Sequence, residues 1–370
     1  MELLLNNTLF IVVSFIFSIL MAWVIIPKII VISRDKKMFD TPNSRSVHDK
    51  PIPRLGGVSF FPTIICSFCL SFVLRLKFGC PIADLNAVHL IAELLLLLSA
   101  ITMLYLIGIA DDLVGVGFKI KFLIQIISAC LIPLSGIWIN NFYGVFGLDE
   151  LSPYFGIPFT IVLVVFITNA INLIDGIDGL ASGLSSVALV ILGIAFLEKQ
   201  LWPYSMLAFS TLGVLIPFFR FNVFGNVDRA KKIFMGDTGS LTLGFILSFL
   251  AIKYTNYNAS VASYTYGAII IAFSALFIPA FDVIRVFFVR LKHGKSPFVA
   301  DKSHIHHKFL DMGYSHRRVL CTILLLALVW SILNILLIPV LEPTYIILID
   351  IICWGAICAS WRVKKIFAKK

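Results

Sequence analysis

The residues best suited to chemistry in this sequence are carboxylates and amides set inside apolar surroundings. The densest group is Asn169-Ala-Ile-Asn-Leu-Ile-Asp-Gly-Ile-Asp-Gly-Leu180, with apolar sequence before and after it. Asn169, Asn172, Asp175 and Asp178 there interrupt sequence that is otherwise fit for a bilayer. An Asp at a membrane centre costs about 2.5–3.5 kcal/mol on insertion scales, and ionisable groups at such places mark substrate or ion sites. A polar turn between two helices would account for the glycines and one Asp, but less well for two Asn and two Asp.

Three further stretches carry similar potential. Asp111-Asp112 ends an apolar run and is followed by Lys119 and Lys121. Adjacent carboxylates at a helix end point in different directions, so one could face a metal or phosphoryl group and the other a cation; the helix dipole disfavours simple solvated acids there. Phe234-Met-Gly-Asp-Thr-Gly-Ser240 is a compact turn opening a helix. Gly236 allows positive φ and close approach of a ligand, Thr238 or Ser240 could cap, and the helix start suits phosphate. Mg²⁺ prefers one or two carboxylates plus substrate phosphates, which Asp237 with an Asn or Asp of the first group would supply. His304, His306 and His307 lie among Lys302, Lys308, Arg317 and Arg318; without Cys or Glu at ligand spacing, they suit a diphosphate and sugar hydroxyls better than a transition metal. Arg45, His48, Lys50 and Arg54, in a Pro- and Gly-shaped loop, could face the same anion.

The elements that must hold these residues are membrane helices. The 370 residues are 59% hydrophobic and only 14% charged, whereas soluble proteins carry about 25% charged residues. A crossing takes about 20 apolar residues. Eleven helices are expected, near 8–32, 57–76, 88–109, 120–139, 157–173, 182–198, 202–219, 239–255, 264–290, 318–339 and 343–361, in one all-α domain over 1–370. The net charge of +10 does not indicate nucleic acid, because the bases sit in short loops, as the positive-inside rule describes. With the N-terminus outside, only Arg75, Lys77, Lys199 and Lys253 of the 30 Lys and Arg fall in outer loops, and the C-terminus is cytoplasmic. The loops near 33–57, 110–121, 169–181, 220–240 and 291–318 then share the cytoplasmic side. The first segment reads as a retained helix rather than a signal peptide. No P-loop, Rossmann turn, zinc-type Cys/His spacing or inverted repeat is present.

Five stretches, DTPNSRSVHDKPIPRLGG, GIADDLVGVGFKIKFLIQ, TNAINLIDGIDGLASG, FMGDTGSLTLG and DKSHIHHKF, resemble in content and order the polyprenyl-phosphate N-acetylhexosamine-1-phosphate transferase family. The HIHH form is similar to its WecA/TagO branch rather than to MraY. The resemblance implies transfer of an N-acetylhexosamine-1-phosphate, GlcNAc-1-phosphate first, from a UDP-sugar to undecaprenyl phosphate, releasing UMP and starting a lipid-linked cell-surface glycan. It implies Mg²⁺, replaceable by Mn²⁺, on Asp237 and Asn172. Asp178 would accept from the uracil and Phe234 stack on it. Asp111 and Asp112 would lie near the lipid phosphate, with Lys119 and Lys121 as counter-cations. His304, His306, His307 and Arg54 would contact the diphosphate or sugar, while Asn169, Asp175 and Gly236 complete the site. A bacterial cytoplasmic membrane, an active site on its cytoplasmic face and a homodimer are also implied. Direct attack by the lipid phosphate and a covalent intermediate on Asp111 or Asp112 both stay open. The alternatives are a phospho-MurNAc-pentapeptide transferase, an ion-coupled transporter with acids near the midplane, and a scaffold.

Overall fold

The computed structural model describes residues 2–38, 52–78, 87–227, 231–257, 265–294 and 303–367. Of the residues singled out in the sequence, Arg45, His48, Lys50 and Lys302 lie outside the described residues. Thirteen helices follow one another among the described residues: α1 (Glu2–Asp35), α2 (Phe60–Lys77), α3 (Ala87–Val114), α4 (Phe118–Leu134), α5 (Pro153–Ile174), α6 (Leu180–Glu198), α7 (Trp202–Val223), α8 (Gly236–Thr255), α9 (Ala268–Phe273), α10 (Phe277–Lys292), α11 (Ile305–Asp311), α12 (His316–Leu337) and α13 (Pro343–Phe367). The only extended pairing among them is an isolated bridge between Asn141 and Glu150.

Ten segments among the described residues are long and apolar enough to span a bilayer, one fewer than expected. The shortfall is α4, which stops after 17 residues. Gly136 follows at φ +85°, a left-handed stop in which its amide donates to the Pro133 carbonyl at 2.9 Å and the Ile137 amide turns back to that of Ile132 at 3.4 Å. This helix still runs from one end of the bundle to the other. Lys121 in its first turn bonds Asp237 at the start of α8, while Asn140, beyond its last turn, bonds Tyr257 beyond the end of α8. A second departure lies in the expected helix 264–290. A 3₁₀ turn, Ser274–Leu276, divides it into α9 and α10, and Pro279, which cannot donate to the Ala275 carbonyl, sets where the regular helix resumes.

The core is organised around α8. Of its spanning residues 94% are buried, against 17% for α13. With α3, α5 and α6 around it, it shows no polar face, as a fully enclosed helix should. Its hydroxyls turn inward on the helix: Thr242 donates to the Thr238 carbonyl and Ser248 to that of Gly244, each at 2.7 Å. At the end away from the acids, the Glu93 carboxylate accepts twice from Lys253 at 2.8 Å and also accepts from the Tyr204 hydroxyl. A largely enclosed charge pair of this kind ties α3, α7 and α8 together.

Close contact of α3 with α8 depends on Gly108. A Cβ there would lie 2.5 Å from the Thr238 Cα and 2.8 Å from its amide nitrogen, both parts of the backbone and unable to swing away. Gly108→Ala should therefore reduce stability by about 1–3 kcal/mol, whereas Gly117→Ala, with open space around it, should leave stability unchanged. Melting of the two purified variants in detergent checks this; equal melting temperatures would refute the close approach.

Candidate active site

At one end of the bundle, α8 begins without a capping side chain of its own. Its leading N–H groups are taken by Asp112 of α3. One carboxylate oxygen of Asp112 accepts from the Asp237 amide at 2.8 Å; the other accepts from the Thr238 amide at 3.0 Å and the Thr238 hydroxyl at 2.6 Å. An anion at a helix N-terminus satisfies orphan donors and meets the positive end of the dipole. Neither Thr238 nor Ser240 is the cap, and these two amides are not available to a phosphate. Gly236, at φ +74°, makes the approach possible, since a Cβ there would come 2.5 Å from an Asp112 oxygen.

Because Asp112 faces α8, Asp111 faces elsewhere. It accepts from the Val116 amide at 2.7 Å and pairs with Lys121 of α4 at 3.0 Å. Lys121 also pairs with Asp237 at 2.7 Å, so one ammonium bridges two carboxylates from two helices. Asn172 of α5 contacts Asp237 and donates to the Ser240 hydroxyl at 2.8 Å. Asn169, one turn earlier, is held by Gln125 of α4 at 2.5 Å and by the Val165 carbonyl at 2.8 Å. It is an interhelical tie next to the site, while Asn172 belongs to the site itself. Lys119 is exposed and, unlike Lys121, is not drawn into the acids.

The loop between α5 and α6 carries Asp175 and Asp178. Burial, then the facing carboxylates of Asp237 and Asp178, push the Asp175 carboxyl well above its usual range, against the pull of Arg54. Asp178 pairs with Lys232 at 2.5 Å, and that lysine is buried. Asn222 of α7 clamps the loop by accepting from the Gly179 amide at 2.6 Å and donating to the Ile233 carbonyl at 2.8 Å. The segment before α8 also anchors the first loop: Phe234 donates to the Pro53 carbonyl at 2.8 Å, and Gly56 to that of Phe234 at 2.9 Å. Arg54, whose carbonyl lies against Gly236, and Phe234 thus sit beside the acids.

The histidines arrive from the other side. The His304 and His306 rings stack with centroids 5.9 Å apart, and His307 lies 4.2 Å from His306. The His306 ring is seated on Gly176, where a Cβ would come 2.3 Å from its Nε2. Both of its nitrogens are buried without a hydrogen-bond partner among the described residues. Burial, reinforced by His307 and His304, lowers its pKa to about 3. His306 is thus neutral near pH 7, able to donate a hydrogen bond without carrying charge.

The structure therefore brings together Asp111, Asp112, Asp237, Asn172, Asp175, Asp178, Lys121 and His306, and adds three partners that the sequence did not single out. Lys232 was absorbed into the charge bias of the loops; Asp282 and Arg285 lay inside an apolar run. An acid inside such a run was itself a signal, the one that picked out Asp178.

The donor set can be tested against a divalent cation by what already stands in it. The Lys121 ammonium between Asp111 and Asp237 is a cation held by hard oxygen donors, the type that Mg²⁺ takes. Among the described residues, no group of three or more His, Cys, Asp or Glu could hold a metal unaided. A metal on Asp237 and Asn172 would thus depend on substrate oxygens. The Asn172 amide also presents its nitrogen to Ser240, so serving as a ligand requires its oxygen to turn inward.

Unfolding lets His306 take up a proton that the native fold refuses. Between pH 6.5 and about 3 the native state therefore loses stability as pH falls, with a slope of up to ~1.4 kcal/mol per pH unit. His306→Gln should flatten that slope. Melting curves of both proteins at about pH 6.5 and 5 check it, and parallel slopes would refute the neutral ring.

Comparison with known proteins agrees with this architecture. The sequence model of glycosyl transferase family 4 matches residues 94–255, the segment from α3 to the end of α8. A probable undecaprenyl-phosphate N-acetylglucosaminyl 1-phosphate transferase of Bacillus subtilis is 33% identical over 332 residues, covering 88% of this chain and 85% of the relative. The undecaprenyl-phosphate alpha-N-acetylglucosaminyl 1-phosphate transferase of Yersinia pestis is 29% identical, over 89% of this chain and 86% of its own. That of Escherichia coli K12 is 30% identical, over 81% and 76%. With a third of its residues shared across nearly nine-tenths of its length, and with the acids of α3, the α5–α6 loop and α8 meeting in one place, the chain belongs to glycosyl transferase family 4, among the polyprenyl-phosphate N-acetylhexosamine-1-phosphate transferases.

Proposed function

We propose that this protein transfers N-acetylglucosamine-1-phosphate from UDP-N-acetylglucosamine to undecaprenyl phosphate, with release of UMP. The reaction uses Mg²⁺, for which Mn²⁺ can substitute, on the cytoplasmic face of a bacterial inner membrane, and begins a lipid-linked glycan. The observation that carries this reading is the Lys121 ammonium shared by Asp111 and Asp237 at 3.0 and 2.7 Å, a cation-binding acid pair at a bundle end. The names of the relatives support the sugar and the lipid. The bias of Lys and Arg towards loops at the site end supports the orientation. Acids gathered at helix ends, rather than midway along them, argue against an ion-coupled transporter.

An oxygen of the acceptor phosphate bonds to the sugar-bearing phosphorus as the bridging oxygen departs with UMP. A phosphate whose second pKa is about 6 is largely ionised at neutral pH, so the attacking group needs little help from a base. The difficulty is bringing two anions together, and positioning with charge neutralisation is what phosphoryl transfer requires. Lys121 can pass from Asp237 to a phosphate oxygen while staying paired with Asp111. Lys232, buried against Asp178, fixes the loop that faces the donor. His306, being neutral, can donate to an oxygen with one nitrogen and accept with the other. Asp237 and Asn172 would hold Mg²⁺, which supplies further neutralisation of the diphosphate.

Asp237→Asn should abolish Mg²⁺-dependent UMP release while the protein still elutes as a folded species; UMP release at the wild-type rate would overturn the metal assignment. Offering purified protein each UDP-sugar in turn with undecaprenyl phosphate, and measuring UMP, names the donor. A preference for UDP-MurNAc-pentapeptide would replace the sugar in this reading, and solute uptake without UMP release would replace the reaction.

A further inference from the structure

The histidine stack is aimed by a carboxylate that no motif contains. Asp282 lies in α10, well inside the bundle, with 1% of its side chain exposed. One of its oxygens lies 2.9 Å from His304 Nδ1, within hydrogen-bond distance. The other accepts from the Ile305 amide at 3.0 Å and from Arg285 at 2.6 Å. Arg285 then donates to the Ser303 carbonyl at 2.5 Å and lies over the Trp361 ring, 5.3 Å from its centroid. The residue before His304, the ring of His304 and the amide after it are therefore all fixed by one buried pair on α10, which α13 covers through Trp361.

We infer that Asp282 is a positioning residue for His304: it sets the ring orientation and keeps the proton on Nδ1, leaving Nε2 as the nitrogen offered to the donor. An ionised carboxylate only accepts, so an imidazole nitrogen facing it must carry a hydrogen. Orientation passes from His304 to His306 through their parallel rings, 3° from coplanar stacking, and so to the Gly176 contact in the acidic loop. Asp282 does not touch substrate in this arrangement; it acts through His304, much as outer residues fix the ring of a metal-bound histidine. This inference rests on the transferase reading given above.

The test is Asp282→Asn. The amide oxygen belongs where two donors, Ile305 N–H and Arg285, converge, which leaves the amide NH₂ facing His304 Nδ1. Two of the three contacts survive and the third is inverted, so that His304 should carry its proton on Nε2. Nitrogen-15 histidine NMR, with the His304 signal assigned by its loss in His304→Gln, should report Nδ1–H in the wild type and Nε2–H in Asp282→Asn. UMP release should fall about 10–100-fold. In the His304→Gln background the same change should cost less than about two-fold, since groups acting as one unit are not additive. An unchanged tautomer, or a full-sized loss in the His304→Gln background, would overturn the inference. Should Asp282→Asn not fold, the wild-type spectrum decides, because a bare Nδ1 is incompatible with it. If the wild type releases no UMP from UDP-N-acetylglucosamine, it is the transferase reading that fails, and the tautomer result still stands or falls alone.

Discussion

One carboxylate from another helix holds the start of α8, and the site is arranged around that contact. A helix beginning inside a membrane protein has N–H groups that neither water nor lipid will satisfy. Here α8 has no cap of its own, and Asp112 of α3 supplies it through three hydrogen bonds. Since Asp112 must face α8, its neighbour Asp111 is turned to α4, where it meets Lys121. The same lysine then reaches Asp237, whose backbone amide is one of those that Asp112 holds. A capping interaction thus determines which acids share a cation.

Most other polar groups in the bundle serve as ties between helices, for the same reason. Gln125 and Asn169 join α4 to α5, Asn172 and Ser240 join α5 to α8, and Glu93 and Lys253 join α3 to α8 at the far end. Asp350 of α13 accepts from Trp330 and Asn334 of α12. Interhelical hydrogen bonds of this kind are typically modest in energy, but each fixes a register. A polar residue in an apolar run is therefore ambiguous until its partner is known. Asn169 and Asn172 occupy one helix face three residues apart, yet one closes a tie and the other borders the reacting groups.

That ambiguity explains what could be read before the structure. Apolar runs gave ten of the eleven expected crossings, because length and hydropathy decide whether a segment spans. They could not reveal the break between α9 and α10, since hydropathy is continuous through Ser274–Leu276 and Pro279 is the only interruption. The acids of α3, α8 and the α5–α6 loop stood out because nothing local explained them. Their division of labour did not, because Asp111 and Asp112 differ only in what their helix places opposite each. Lys232 and Asp282 were hidden for opposite reasons: one merged with a general excess of bases, the other was outweighed by apolar neighbours.

Charge balance gives these pairings a consequence for binding. Asp111, Asp112, Asp175, Asp178 and Asp237 crowd into one end of the bundle, and leaving all of them ionised in a poorly solvated place would be costly. Three devices offset this cost: Lys121 between two carboxylates, Lys232 on Asp178, and an Asp175 carboxyl pushed towards its neutral form. On the transferase reading proposed above, a diphosphate entering the same space would add negative charge, and the existing cations could not serve both it and the acids at full strength. Binding must then be an exchange of partners, in which a lysine moves towards phosphate and the carboxylate it leaves takes up another cation. Acids clustered beside a site for anions are consistent on that basis, since they hold cations in place for the charge that the substrate brings.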